Sequence, residues 1–217
     1  VLHYPQSPLV KSFMADISNY DKHPSGFNVV IAEMCYEGYN MEDAVIFNKS
    51  SIERGLARST YFRPYSVEEL RYSGGLMDEI GLPDKEVRGY KSEDDYKFLE
   101  KDGIVYAGQK LKTDDVLIGK TSPPRFLGEM EEFSFAASTR RESSVVVKHG
   151  EAGTVDMVVV TENEEGNKLV QTRLRDQRIP EIGDKFTSRH GQKGVIGLTV
   201  PQSDLPFTSK GISPDII

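Results

Sequence analysis

Short apolar runs separated by polar turns recur along the chain, and few of them show the three-to-four spacing of an amphipathic helix. Residues 27–32 and 44–47 are partly β-branched apolar runs and predict two strands. The polar stretch 36–43 joins them as a loop. Ser50-Ser51-Ile52-Glu53 has the layout of a capping box, which predicts a short helix closed by Gly55. Residues 56–66 read as extended. From 64 to 90 the pattern is irregular and rich in glycine, proline and charge. Ser92-Glu93-Asp94-Asp95 then opens a predicted helix to Lys101, stopped by Gly103. Residues 104–120 read as short strands joined by turns, and Ser122-Pro123-Pro124 is a break. Residues 143–148 and 154–161 predict strands. Glu164-Glu165-Gly166-Asn167 predicts a hairpin turn into a return strand, 168–175, with Gln171, Arg173 and Arg175 on one face by the period of two. After 180 come a glycine-rich basic loop and a proline-rich tail. The pattern predicts a mainly β fold with short helices.

Composition narrows the class. With 217 residues, 37% hydrophobic and 28% charged, the chain suits one large or two small globular domains with a real core. No apolar stretch reaches membrane-spanning length, and residues 1–5 lack the layout of a secretory signal, so the expectation is an intracellular protein. The single cysteine, Cys35, excludes an internal disulfide and a cysteine-based zinc site, and its apolar run predicts a small core residue. The net charge of −7 argues against a free-standing nucleic-acid binder, but its distribution is uneven. Residues 64–180 carry 17 basic and 23 acidic residues, whereas residues 181–217 carry four of each. A component of a larger assembly needs no overall excess of positive charge.

Two segments could carry chemistry. In the loop 38–43, Glu42 and Asp43 are adjacent carboxylates before a buried strand, able to hold a hard divalent cation directly or through water, or else a solvated acidic turn. Residues 183–194 pack Lys185, Arg189, His190 and Lys193 between glycines, together with Gln192. Such a loop brings cations and backbone N–H groups to phosphates, or is an exposed basic turn. Gly119-Lys120-Thr121 imitates the end of a Walker A loop. Asp114 stands where that motif needs its first glycine, and the residues between read as a strand, so the motif is rejected. Arg140-Arg141, before a strand, reads most simply as a solvated edge, with a basic contact as the alternative.

Read together, residues 37–44, 48–55, 115–120, 183–194 and 207–215 resemble, in order, the second-largest subunit of multi-subunit DNA-directed RNA polymerase in its archaeal and eukaryotic branch. The resemblance implies part of a double-psi β-barrel, the hybrid-binding region, in residues 1–58 and 180–217, with an inserted β-rich wall or flap domain at 59–179. It implies that Glu42 and Asp43 approach a second, nucleotide-borne magnesium. Lys185 and Lys193 would face the RNA 3′ end and the incoming phosphates, with Arg189, His190 and Gln192 as further contacts. The principal Mg2+ would be held by three aspartates of the largest subunit, absent here. Expected partners are that subunit, the other polymerase subunits, template DNA, the RNA transcript and nucleoside triphosphates, in the cytoplasm of an archaeon or the nucleus of a eukaryote. The resemblance implies that the family's N-terminal lobe and protrusion, and its arginine-bearing segment and clamp-anchoring part, lie outside residues 1–217. The expectation is a fragment or one piece of a split subunit, inactive alone. The competing readings are a docking module without catalysis and a stand-alone metal hydrolase using Glu42, Asp43 and His190.

Overall fold

The computed structural model describes residues 1–124 and 140–217. They fall into two compact units, residues 1–61 with 177–217 and residues 62–176. The described strands are β1 (Ala44–Asn48), β2 (Ser59–Glu68), β3 (Glu79–Ile80), β4 (Lys110–Leu111), β5 (Val116–Ile118), β6 (Lys120–Ser122), β7 (Arg141–Glu142), β8 (Val145–Val146), β9 (Gly153–Glu162), β10 (Lys168–Arg178), β11 (Lys185–Thr187) and β12 (Lys193–Val200). Among the described residues, two one-turn helices, α1 (Phe13–Ile17) and α2 (Lys49–Glu53), and a few 3-10 turns accompany these strands. The fold is mainly β with short helices, as the apolar pattern predicts.

The first unit is built on a three-stranded sheet in the order β1-β12-β11. β1 runs parallel to β12, and β11 returns antiparallel along its other side. Both faces of β1 are covered. Ile46 joins Val200, Leu205 and Ile217 on one side, while Phe47 joins Ile52 and Ile196 on the other. That is why residues 44–47 are a continuous apolar run rather than an alternating one. The register slips between Val45 and Ile46, and Gly197 is the extra residue of the bulge. Two glycines on β12 are required by packing. A Cβ on Gly194 would lie 2.8 Å from Cγ1 of Val45, and one on Gly197 would lie 2.7 Å from the Tyr39 carbonyl oxygen.

The free edge of β1 is covered by residues 215–217. Ile46 and Ile217 exchange backbone hydrogen bonds of 3.0 and 2.9 Å, and Asn48 N–H donates to the Asp215 carbonyl at 2.9 Å. The Asp215 carboxylate accepts from the Val30 N–H at 2.9 Å and the Ser51 hydroxyl at 2.6 Å. The strand predicted over 27–32 does not form. Its partner is this three-residue segment, and only an isolated bridge, Ile31 to Ile216, results. The capping box predicted at Ser50 is also corrected. Asn48, buried at the end of β1, caps α2 by accepting from the N–H groups of Ser50 and Ser51. Cys35 is exposed rather than a core residue.

The second unit holds a four-stranded sheet, β2-β10-β9-β4, a three-stranded sheet, β3-β6-β7, and the pair β5-β8. Its core gathers Tyr65, Val67, Leu111, Leu117, Ile118, Val147, Val155, Val170 and Leu174. The β9–β10 turn is one residue wider than predicted. Asn163 organises it by accepting from the N–H groups of Glu165 and Asn167, both at 2.9 Å. The helix predicted from Ser92 to Lys101 stops after one 3-10 turn, Glu93–Tyr96, although the Ser92/Asp95 capping box is present. Tyr96 is buried and both Phe98 and Leu99 pack on the core, a spacing that one helical face does not supply. Lys120 of the rejected phosphate motif donates at 3.0 Å to Asp78, whose side chain is fully buried. Arg140 is not a solvated edge, because its guanidinium reaches the Thr121 hydroxyl, the Thr121 and Met77 carbonyls and Glu79.

Two outcomes follow from these contacts. Gly194→Ala or Gly197→Ala destabilises the chain by about 1–3 kcal/mol in urea unfolding, the usual cost of overpacking; a change below about 0.5 kcal/mol, the size of an ordinary surface substitution, contradicts the close approach. The second concerns Asp78. Burial pushes its carboxyl upward, but hydrogen bonds from Ser122, Lys120 and Tyr72 and the Lys120 charge outweigh that and hold it below its ordinary 3.8. Its contribution to stability is present above that pH and is lost as pH falls through the lower folded value. Asp78→Asn lowers stability at neutral pH and flattens the acid limb of a stability-versus-pH curve below about 4. Parallel acid limbs for the two proteins would refute the assignment.

Candidate functional site

The basic segment predicted as a loop is a β-hairpin. β11 and β12 pair Lys185 with Val195, Phe186 with Gly194 and Thr187 with Lys193. Cross-strand partners share a face, so Lys185, Thr187, Lys193 and Val195 lie on one side and Phe186 and Gly194 on the other. The second side is the inner one. The Phe186 ring meets Phe47 at 4.8 Å between centroids, and Gly194 fits beneath Val45. Strand alternation therefore turns Lys185 and Lys193 outward as diagonal neighbours. Both are exposed, and neither is in an ion pair among the described residues.

The hairpin tip is organised by a residue the sequence reading passed over. The Ser188 hydroxyl accepts from the N–H groups of His190 (3.2 Å) and Gln192 (3.3 Å). Its backbone N–H donates to the Gln192 carbonyl and its carbonyl accepts from Gly191 N–H. Gly191 takes φ +85°, a left-handed conformation that glycine adopts without steric cost. A serine before a short polar stretch ending in glycine is a readable signal of such a turn. The predicted contact residues diverge here. His190 and Gln192 stand exposed at the tip. Arg189 instead folds back on the N-terminal segment. Tyr20 is held below the ordinary tyrosine range by hydrogen bonds from Ser25 and from the Arg189 guanidinium.

The acidic pair reaches the same sheet from the other side of β12. Asp43 immediately precedes β1, and its carbonyl accepts from Val195 N–H at 2.7 Å. Val195 is two residues beyond Lys193 and directly opposite Lys185. The loop before Asp43 lies against the bulge, with the Tyr39 carbonyl over Gly197. Glu42 and Asp43 are exposed, and Glu42 takes φ +58°. Sequence reading missed Gly197, although a glycine inside an apolar strand pattern is a signal of a bulge or a close backbone approach.

Adjacent carboxylates offer the oxygen ligands that a hard divalent cation prefers. Among the described residues, however, no group of three or more His, Cys, Asp or Glu side chains could hold a metal ion. Glu42 and Asp43 fit a share of a coordination shell completed by other groups. Glu42, Asp43 and His190, the residues a stand-alone metal hydrolase would use, are thus not brought together as one ligand group. No helix of the described residues is long and apolar enough to cross a membrane.

Comparison with known proteins gives the relationship. The family model described as RNA polymerase Rpb2, domain 6, matches residues 1–217. The chain is 55% identical over its full length to DNA-directed RNA polymerase subunit Rpo2 of Saccharolobus solfataricus, and 56% identical to subunit Rpo2 of Sulfolobus acidocaldarius, covering 19% of each. It is 42% identical to DNA-directed RNA polymerase II subunit 2 of Arabidopsis thaliana, covering 18% of that protein. The chain thus spans about a fifth of the length of these relatives. It belongs to the RNA polymerase Rpb2 domain 6 family, as a segment of a second-largest polymerase subunit of the archaeal and eukaryotic type.

Proposed function

We propose that this chain forms one side of the active centre and RNA–DNA hybrid site of a DNA-directed RNA polymerase, and contributes electrostatics rather than a complete catalytic apparatus. The observation that carries the reading is the placement of two exposed ammonium groups, Lys185 and Lys193, in no ion pair among the described residues, on the outward face of a hairpin whose β12 strand is hydrogen-bonded to the backbone of Asp43. In template-directed synthesis the 3′ hydroxyl of RNA attacks the α-phosphate of a nucleoside triphosphate in line, and negative charge redistributes toward the leaving pyrophosphate. Lys185 and Lys193 are held by strand pairing, with their inner neighbours Phe186 and Gly194 locked against β1. They are poised to offset that charge and to position the RNA end, with little rearrangement during reaction.

Glu42 and Asp43 are assigned to the nucleotide-borne magnesium, directly or through water. That ion, when bound, neutralises triphosphate charge. Two exposed carboxylates on a pinned loop would hold one flank of it, while the principal magnesium is assigned to the largest subunit. His190 and Gln192 are assigned to phosphate or sugar contacts that position without reading sequence.

The unit of residues 1–61 with 177–217 is assigned to the double-psi barrel of the hybrid-binding region, and the acidic unit of residues 62–176 to the wall or flap. The partners are the largest and other polymerase subunits, template DNA, RNA and nucleoside triphosphates. The compartment is the cytoplasm of an archaeon or the nucleus of a eukaryote.

The isolated chain is expected to be inactive. Single-nucleotide RNA extension on a primed template tests the reading. In a complete polymerase carrying this segment, Lys193→Ala slows nucleotide addition about a hundredfold, the usual loss when one group aimed at developing charge is removed. An unchanged rate removes Lys193 from the mechanism. Extension by the isolated chain overturns the shared-site reading.

A further inference from the structure

We propose that Asn40 is the positioning residue of the acidic loop, a side-chain clamp that sets where Glu42 and Asp43 present their carboxylates. The inference rests on the proposed placement of those two carboxylates beside the nucleotide's magnesium. Asn40 is half-buried, and its amide is used at both ends. Its Oδ1 accepts from the Tyr36 N–H at 3.0 Å, and its Nδ2 donates to the Met34 carbonyl at 2.6 Å. One planar group thus ties the exit of the turn back to two points at its entry.

The loop needs such a tie. Its backbone is left-handed at Glu37 (φ +50°), Gly38 (φ +80°) and Glu42 (φ +58°). Two of these three residues carry a Cβ, for which that conformation is unfavourable, and it persists only where surrounding contacts over-determine it. The backbone bonds within the loop are few. Tyr39 N–H donates to the Tyr36 carbonyl at 3.0 Å, whereas those from Met41 to Gly38 and from Ala44 to Met41 are long, at 3.3 Å. The entry is anchored separately, because the Tyr36 hydroxyl donates to the Asp204 carbonyl at 3.0 Å and the Tyr39 carbonyl rests on Gly197. Met41, Glu42 and Asp43 are exposed, so no side-chain packing fixes them. Asn40 is the last half-buried residue before the acidic pair; beyond it the exit is fixed only where the Asp43 carbonyl accepts from the Val195 N–H at 2.7 Å, and the Asn40 amide ties the turn between these anchors back to its entry.

The side-chain requirement is specific. Alanine supplies neither bond. Serine has a hydroxyl too short to span both partners. Aspartate accepts from Tyr36 but turns a second acceptor toward the Met34 carbonyl. An unclamped loop samples more conformations, and a cation that needs both carboxylates must then select among them, which weakens apparent affinity without altering the lysines.

The test uses the complete polymerase with Asn40→Ala, Asn40→Ser, and a Glu42→Gln/Asp43→Asn double variant. Two readouts are taken: hydrogen exchange of the amides of residues 36–44 in the magnesium-free enzyme, and the magnesium dependence of single-nucleotide addition. Asn40→Ala speeds exchange of those amides about tenfold or more and raises the half-saturating magnesium concentration several-fold. The rate at saturating magnesium stays near the parent value. Asn40→Ser falls between parent and Asn40→Ala. Unchanged exchange in Asn40→Ala overturns the clamp. Faster exchange with an unmoved magnesium requirement reduces Asn40 to a structural residue and overturns its positioning role. If the double variant leaves the magnesium requirement unmoved, the assignment of Glu42 and Asp43 fails, whatever Asn40 does.

Discussion

The parallel pairing of β1 with β12 is the constraint on which the candidate site depends. It brings residue 44 beside residue 195, and so joins a loop near the start of the chain to a hairpin near its end. The pairing is anchored on both faces by Ile46 and Phe47 and on its far edge by residues 215–217. A parallel pair offers no tight turn to set its register, so register comes from side-chain fit. The bulge at Gly197 and the close approach of Val45 to Gly194 supply that fit. A slip of one residue would turn Lys185 and Lys193 toward Phe47 and Phe186 toward solvent.

The electrostatics follow from the same alternation. The hairpin carries its cations on the face opposite Phe186 and Phe47, with no carboxylate paired to Lys185 or Lys193 among the described residues. By contrast Lys120, also flanked by glycine in the sequence, is spent on the buried Asp78. Similar local sequences therefore end differently, one ammonium neutralised to close a core and two exposed without an ion pair among the described residues. Arg189 is a third case, drawn back to Tyr20 from a position that composition alone would count with the free cations.

Much of this was legible in the sequence, and the gaps have physical causes. The buried run at 44–47, the β9–β10 hairpin and the clustering of Lys185 and Lys193 depend on local pattern, and local pattern reveals them. Which face the lysines occupy depends on Phe186 meeting Phe47, a contact across nearly 140 residues that no local window contains. The strand expected at 27–32 failed because strand formation needs a partner of matching length. The helix cap was misplaced by two residues because Asn48 belongs to the preceding strand and caps by virtue of where β1 ends. Cys35 looked like core because its neighbours are apolar, yet the segment lies at the surface. Asn40 and Ser188 are polar residues whose work is to hold backbone, and composition does not separate them from solvated neighbours.

The central claim is that the acidic pair and the hairpin lysines act on one reacting centre. A double-mutant cycle in the complete polymerase tests it most directly, with Lys193→Ala and Glu42→Gln/Asp43→Asn made singly and together and the rate of single-nucleotide addition measured for each. The account predicts that the combined loss departs from the sum of the separate losses by more than about 0.5 kcal/mol, as groups sharing one charged substrate do. Additivity within about 0.3 kcal/mol would contradict it, leaving two independent surfaces that happen to share a strand.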